Sequence, residues 1–264
     1  MGCGSPPKKR AHRGGLVIGP GTAAGRRRPS GVAERIGRRI VTGDLLPGTT
    51  LPNLDRLAEQ FSISRLSMRE AMKLLAGKGL VMSTPRRGTV VRPRSEWSRL
   101  DADVLVWQLG GTPNAAFIRD LFELRRMIEP EAAAISARRA SAEHFAAIER
   151  AFTEMAEAES HSGRSVAADV ALHQAILTAT GNEFIAALAP AIGTSLRMTF
   201  SMQREASPDP LEFIPSHWAI VDSIKRGDPE AARASALALL VGAEADAMDG
   251  LRLTRTARRE EEAP

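Results

Sequence analysis

The chain has 264 residues, of which 43% are apolar and 4% aromatic, with a single cysteine. That supports one or two folded domains, excludes a disulfide framework and fits a reducing cytoplasm. No run approaches the ~18 apolar residues of a membrane span, so no membrane partner is expected. The net charge of +5 hides a split: residues 1–95 hold 19 Lys and Arg against 5 Asp and Glu, net +14, and the remainder hold 17 against 26, net −9. A basic first third suits a polyanion, and an acidic remainder suits another task.

Residues 1–29 set Lys8, Lys9, Arg10, Arg13 and Arg26 to Arg28 among Gly and Pro, a composition expected to be disordered. Three readings stay open for this basic tail: non-specific phosphate contacts, a nuclear signal, or sequence from a start site placed too early. Ser30 is expected to cap a helix to about Thr42, with Val32, Ile36 and Ile40 on one face. Gly43 to Gly48 is a turn. Leu57, Ala58 and Phe61 then give a short apolar face, Ser62-Ile63-Ser64 a tight polar turn, and Met68, Ala71, Met72 and Leu75 a second helical stripe ending at Gly77-Lys78-Gly79. Two short helices around a tight turn suit helix-turn-helix DNA binding. Leu80-Val81-Met82 and Thr89-Val90-Val91 flank Pro85-Arg86-Arg87-Gly88, which predicts a two-stranded wing with a basic tip.

The N-terminal residues of such a second helix reach base edges. Arg65 opens it, Arg69 lies one turn on, and Ser64 and Ser67 stand beside them. Arg can pair bidentately with guanine. Ser64 also reads as a plain helix cap. Arg86, Arg87 and Gly88 at the wing tip are expected against phosphate or the minor groove. Arg56 is either a backbone contact or an ordinary surface residue.

The string Gly43-Asp44-Leu45, Pro47-Gly48, Leu51-Pro52, Leu57-Ala58, Phe61, Ser64-Arg65, Arg69-Glu70-Ala71, Gly79-Leu80-Val81 and Gly88-Thr89 with Val91 resembles the winged helix of GntR-type bacterial transcription regulators. The resemblance covers residues 31–92. It departs at Leu54, where an acidic residue is usual, and at Leu66, where a small hydroxyl residue is usual. It implies binding to a double-stranded operator.

Pro93 to Leu100 is expected as a linker (residues 93–100). From Asp101 onward the pattern is helical, with breaks at Gly110-Gly111, about Ser141, Ser162-Gly163, Gly181-Asn182, Pro208 to Pro215 and Gly227 to Pro229. That predicts six or seven helices over residues 101–250 and a frayed, disordered tail over 251–264. Phe122 to Ala133, Asp169 to His173, Thr180-Gly181-Asn182, His217 with Ile220, and Gly227 to Ala232 resemble the effector domain (FCD) of the FadR-like branch of the family. The resemblance implies an antiparallel all-helical bundle around a ligand cavity, and a homodimer. The expected fold class is therefore mainly α: a winged helix-turn-helix over residues 30–92, then an effector-binding and dimerisation bundle.

Asp169 and His173 are four residues apart on a face shared with Val166, Val170 and Leu177. A carboxylate on an apolar face needs a partner, which a metal ion or an Asp–His hydrogen bond would supply. His217 lies on an apolar side with Ile220, Val221 and Ile224. The resemblance makes Asp169, His173 and His217 metal ligands, with the usual fourth, a histidine, falling on Leu239. His and carboxylate donors suit Zn²⁺, Mn²⁺, Fe²⁺ or Ni²⁺. Arg125 flanks the stripe Phe117, Leu121, Leu124 and Ile128. It reads either as half of an internal salt bridge, to Asp169 or a glutamate, or as a fork for an effector carboxylate. Asn182 is a second candidate for effector contact, while Glu123 and Glu129 read as helix-surface charges. The whole, including leucine at 239, is similar to the galactonate-type repressors of the branch. The implied function is a cytoplasmic, nucleoid-associated repressor released by a sugar acid or other small carboxylate, and not an enzyme. A metal-dependent hydrolase of a small organic acid is the rival reading, since an open metal position could activate water. A helical scaffold protein explains the bundle but not the winged-helix string.

Overall fold

The computed structural model describes residues 28–109, 115–158, 163–206 and 213–261. The basic tail up to residue 27 and the breaks at Gly110-Gly111 and at 208–212 lie outside these residues. The chain divides into two compact units, up to Ser98 and from Arg99 onward.

In the first unit, α1 (Pro29–Val41) begins one residue before the expected cap. Arg28 holds the N-cap position without a side-chain bond and Pro29 fills the first turn, where its missing N–H costs nothing and its φ is already helical. Val32, Ile36 and Ile40, four apart, are fully buried. The next helix, α2 (Leu54–Phe61), is capped by Asn53, whose side chain accepts the Arg56 N–H. It ends at Ser62 in the left-handed region, which makes the turn sharp. After it, α3 (Arg65–Gly77) lays Met68, Ala71, Met72 and Leu75 on the core. The strands β1 (Val81–Thr84) and β2 (Gly88–Val91) pair antiparallel, Val81 opposite Val91 and Thr84 opposite Gly88, with Thr50 bridging Val90 at the edge. The winged helix is thus formed.

The first part of the expected linker is ordered. Residues 94–96 make a 3-10 turn, Trp97 is buried and donates its indole N–H to the Arg92 carbonyl at 3.0 Å, and Ser98 N–H donates to the Lys78 carbonyl at 3.0 Å. The segment to Ser98 is therefore packed onto the winged helix. Gly79 makes this possible: its φ is +72°, and a Cβ there would stand 2.2 Å from the Glu96 carbonyl oxygen.

The second unit comprises α4 (Ala102–Leu109), α5 (Ala115–Arg139), α6 (Ala142–Glu157), α7 (Gly163–Ala179), the single turn α8 (Glu183–Ala186), α9 (Ala189–Ala206), α10 (Phe213–Lys225) and α11 (Pro229–Glu261). These are eight helical segments among the described residues, one more than the largest number expected. Two ion pairs fix α5 antiparallel to α11: Arg126 with Glu244, and Glu131 with Arg233 at 2.6 Å. Ala133, Ile148, Leu172, Ile176, Val221 and Leu239 meet in the main core cluster. The tail expected to fray from residue 251 is also corrected, because α11 continues to Glu261. Leu251 is buried with Met202 and Phe122, and Arg252 pairs with Asp249 at 2.7 Å, so the helix propagates from a packed turn rather than ending there. No described helix is long and apolar enough to cross a membrane.

Candidate functional site

On the first unit most of the sequence-predicted DNA residues are exposed. Ser64 caps α3: its hydroxyl accepts the Ser67 N–H at 3.0 Å and lies 2.9 Å from the Ser67 hydroxyl. Arg65 Nε stands 3.0 Å from Asp55 Oδ1, both side chains exposed. Arg69 is exposed one turn on, and Arg86, Arg87 and Gly88 are exposed at the hairpin tip. That tip is tight, with φ of +64° at Arg86 and +80° at Gly88.

On the second unit, α5 turns a wider stripe inward than expected. Of the expected residues Leu121 is buried and Phe117, Leu124 and Ile128 are half-buried, and Ile118, Phe122, Arg125, Glu129, Ala132 and Ala133 are buried with them. Arg125 is thus not at the edge of the core but within it, 1% exposed. Its Nε donates to Glu129 Oε1 at 2.6 Å, its guanidinium lies 5.1 Å from the Phe122 ring centre, and its Nη1 is buried without a hydrogen-bond partner.

Glu129, expected on the surface, is the residue that sequence reasoning missed. Its second oxygen lies 2.5 Å from His173 Nδ1. Burial alone would raise this carboxyl, but the charges of Arg125 and His173 and their hydrogen bonds hold it down to about 2. An ionised carboxylate only accepts, so His173 Nδ1 donates and the ring's Nε2 is turned the other way. Burial would lower His173, yet Glu129 and Asp169 together push it up to about 9. The spacing carried a signal: 122, 125, 129, 132 and 133 form a continuous helical stripe, and Glu129 lies four residues after Arg125.

His173 Nε2 lies 3.5 Å from Asp169 Oδ1, and His217 Nε2 lies 3.0 Å from the same oxygen. His217 Nδ1 is 2.7 Å from the Phe213 carbonyl. A carbonyl cannot donate, so Nδ1 carries the proton and Nε2 of a neutral ring offers a lone pair. Two imidazole nitrogens and a carboxylate oxygen therefore converge, an arrangement that a proton or a metal ion can bridge. In the metal-free chain a proton serves: burial opposes the Asp169 charge, but the two histidines hold its carboxyl far below the usual carboxylate range. Even so, Asp169 Oδ1 receives no aligned hydrogen bond. The three donor atoms lie within 4.8 Å of one another, close to what metal–ligand bonds of ~2.0–2.2 Å require after a small contraction. A carboxylate and a backbone carbonyl behind the two rings are the usual outer supports of metal-bound histidines. These residues fit a divalent ion.

A cavity opens beside this cluster, lined by Glu129, Ala132, Ala133, His173, Ile176, Leu177, Ile220, Ala236 and Leu239. Its empty space is about 290 Å³ with its mouth included, so finely divided that it has room for about one water-sized species. Leu239, on α11, fills the wall where the resemblance placed a fourth ligand. Asn182 is not brought here: it is exposed, and its side-chain oxygen caps α8 by accepting the Phe184 N–H at 2.9 Å. Its side chain serves as a helix cap here.

The family profile described as "Bacterial regulatory proteins, gntR family" matches residues 29–91, and that of the FCD domain matches residues 120–242. The galactonate operon transcriptional repressor of Escherichia coli is 34% identical over 209 residues, 78% of this chain and 90% of that protein. An uncharacterised HTH-type transcriptional regulator of the same organism, YieP, is 33% identical over 211 residues, 79% of this chain and 90% of that one. A solved structure titled as Lar, controlling expression of the Listeria monocytogenes agr system, shares the fold, with a TM-score of 0.61 at 16% identity over 83% of this chain and 96% of that one.

Proposed function

Because the chain belongs to the GntR family of bacterial regulatory proteins and carries an FCD domain, we propose that it is a metal-assisted repressor of a sugar-acid or other organic-acid operon, released from its operator by a small carboxylate. DNA-binding transcription regulation is what the family does; the acid, the metal and the homodimer are this proposal's own. Residues 30–92 bind DNA, with Arg65 and Arg69 at base edges, Ser64 and Ser67 fixing the helix end, and Arg86, Arg87 and Gly88 on the backbone or minor groove. Residues 101–250 bind the effector and join two subunits, and the protein acts in the cytoplasm on the nucleoid.

The observation that carries the proposal is the buried chain Arg125–Glu129–His173–Asp169–His217. A dry core holds such groups only when they neutralise one another, and here two are incompletely matched: Arg125 Nη1 lacks an acceptor, and Asp169 Oδ1 faces the two histidines without an aligned hydrogen bond. A carboxylate ligand supplies the first and a divalent ion, held by Asp169, His173 and His217, the second. A bound ion there would act as an electrostatic anchor for the acid's oxygens. The likeness to the galactonate repressor supports a hydroxylated acid. The narrow cavity supports a coupled change, since an acid of several carbons enters only if α5, α7, α10 and α11 separate. The effector then binds the opened arrangement better than the closed one, which is the condition for shifting a two-state equilibrium. The hydrolase reading gains nothing: the relatives are regulators, and both carboxylates of the cluster are engaged with Arg and His side chains.

The test is selection of bound duplexes from a random pool, with and without a panel of sugar acids. One acid should release the selected duplex, and Arg125→Ala should keep operator affinity while losing that release. If Arg125→Ala responds like wild type, Arg125 is only a salt-bridge partner. Turnover of the acid would restore the hydrolase.

A further inference from the structure

We infer that Leu66 reads the C5-methyl group of a thymine in the operator's major groove, so that it sets base preference at one position. This rests on the assignment of α3 as the recognition helix.

The polar groups of the first turn of α3 have partners within the protein, the serines at the helix end and Arg65 in an exposed, weak pair from which DNA can draw it. Ser64 and Ser67 hold the helix end and each other, and Arg65 is paired with Asp55. Leu66, between them, is 67% exposed, the highest exposure of any large apolar side chain among the described residues of this unit. Its direction follows from helical geometry. At ~100° per residue, Leu66 points roughly 180° away from Leu75 and 140° from Ala71, which lie on the core. It shares the outward face with Arg69 and Lys73. No rearrangement of rotamers can bury it within its own unit.

Only the surface that this basic face approaches can cover it. The major-groove edges of base pairs present donors, acceptors and one apolar group, the thymine methyl. Leucine neither donates nor accepts, so packing it against guanine, adenine or cytosine strips water from a polar edge and returns nothing. Thymine is therefore favoured by contact, and the other bases are disfavoured by desolvation.

The experiment uses the full chain and the duplex that wild type selects from a random pool, at fixed salt. Each thymine is replaced in turn by deoxyuridine, which removes only the methyl group, and affinity is measured for wild type, Leu66→Ala and Leu66→Ser. One thymine position should weaken wild-type binding roughly fourfold when its methyl is removed, the size of one methyl-sized burial. Both variants should bind the two duplexes equally and lose the thymine preference on reselection. The thymine assignment is overturned if wild type tolerates every replacement, or if Leu66→Ala keeps the wild-type sensitivity. Arg69→Ala separates this from the reading beneath it. If Arg69→Ala loses affinity while Leu66→Ala keeps the uridine response, only the thymine contact falls. If Arg69→Ala binds with unchanged affinity and preference, the recognition-helix assignment falls and the inference with it.

Discussion

Replacing Glu129 by glutamine changes one atom in the core and should have two separable effects. Both carboxylate oxygens are used, one by Arg125 at 2.6 Å and one by His173 at 2.5 Å, with the side chain 6% exposed. The amide keeps one acceptor and turns an NH₂ donor toward a donor, so at most one of the two bonds survives. The guanidinium then has no counter-charge in a site that water scarcely reaches. Removing one partner of a buried pair costs ~3–5 kcal/mol. The same change leaves the His173 ring less firmly oriented, and loss of such an outer support lowers metal affinity by ~10–100-fold. Urea unfolding in metal-free buffer reads the first effect, through Trp218, which packs on Phe152 with ring centres 5.2 Å apart. Metal titration of the folded variant reads the second. The double variant Arg125→Met, Glu129→Gln removes the stranded charge and should be less destabilised than Glu129→Gln alone. A Glu129→Gln protein within ~0.5 kcal/mol of wild type, the ordinary range for surface changes, would refute the reasoning, because the pair would then be solvated rather than buried.

Metal binding should tighten as pH rises. His173 is held protonated up to about 9 in the metal-free chain, and a metal takes the neutral ring, so each ion must displace a proton; calorimetry between pH 6 and 9 should show this release, and a flat affinity would contradict it. Leu239→His should strengthen metal binding, since Leu239 lines the cavity with His173; an unchanged titration would place that face of α11 out of reach. Gly79→Ala should destabilise the winged helix by at least ~1–2 kcal/mol from backbone strain at positive φ alone, before the clash with the Glu96 carbonyl; a variant melting with wild type would mean that the Trp97 segment is not held there.

The winged helix was legible in the sequence because its signals are local. The Asn53 and Ser64 caps, the Ser62 turn and the Val81–Val91 hairpin are each set by residues within a few positions of one another. The grouping of Asp169, His173 and His217 was legible because Asp169 and His173 share a helix face and His217 falls in an apolar stripe. Glu129 was not, because an Arg and a Glu four residues apart usually form a solvated pair. The 117–128 stripe sets Arg125 at the edge of the core and leaves Glu129 on the surface. The helix phase is decided by packing on α7 and α11, which no local pattern encodes. The Trp97 anchor escaped for a similar reason: its carbonyl acceptor on Arg92 and the gap over Gly79 exist only once the hairpin has formed. The last helix continues past the charge run after Leu251 because Leu251 packs on Met202, a contact that the local sequence does not encode.

The docking of Trp97 and Ser98 shortens the leash between the two units. With the chain held through Ser98 and α4 starting at Ala102, three residues are left to pay out, a reach of about 10 Å when fully drawn. A segment that short has little conformational freedom of its own, about 1–2 kcal/mol of backbone entropy for each residue fixed, and most of the order in this stretch is set by the winged helix it packs on.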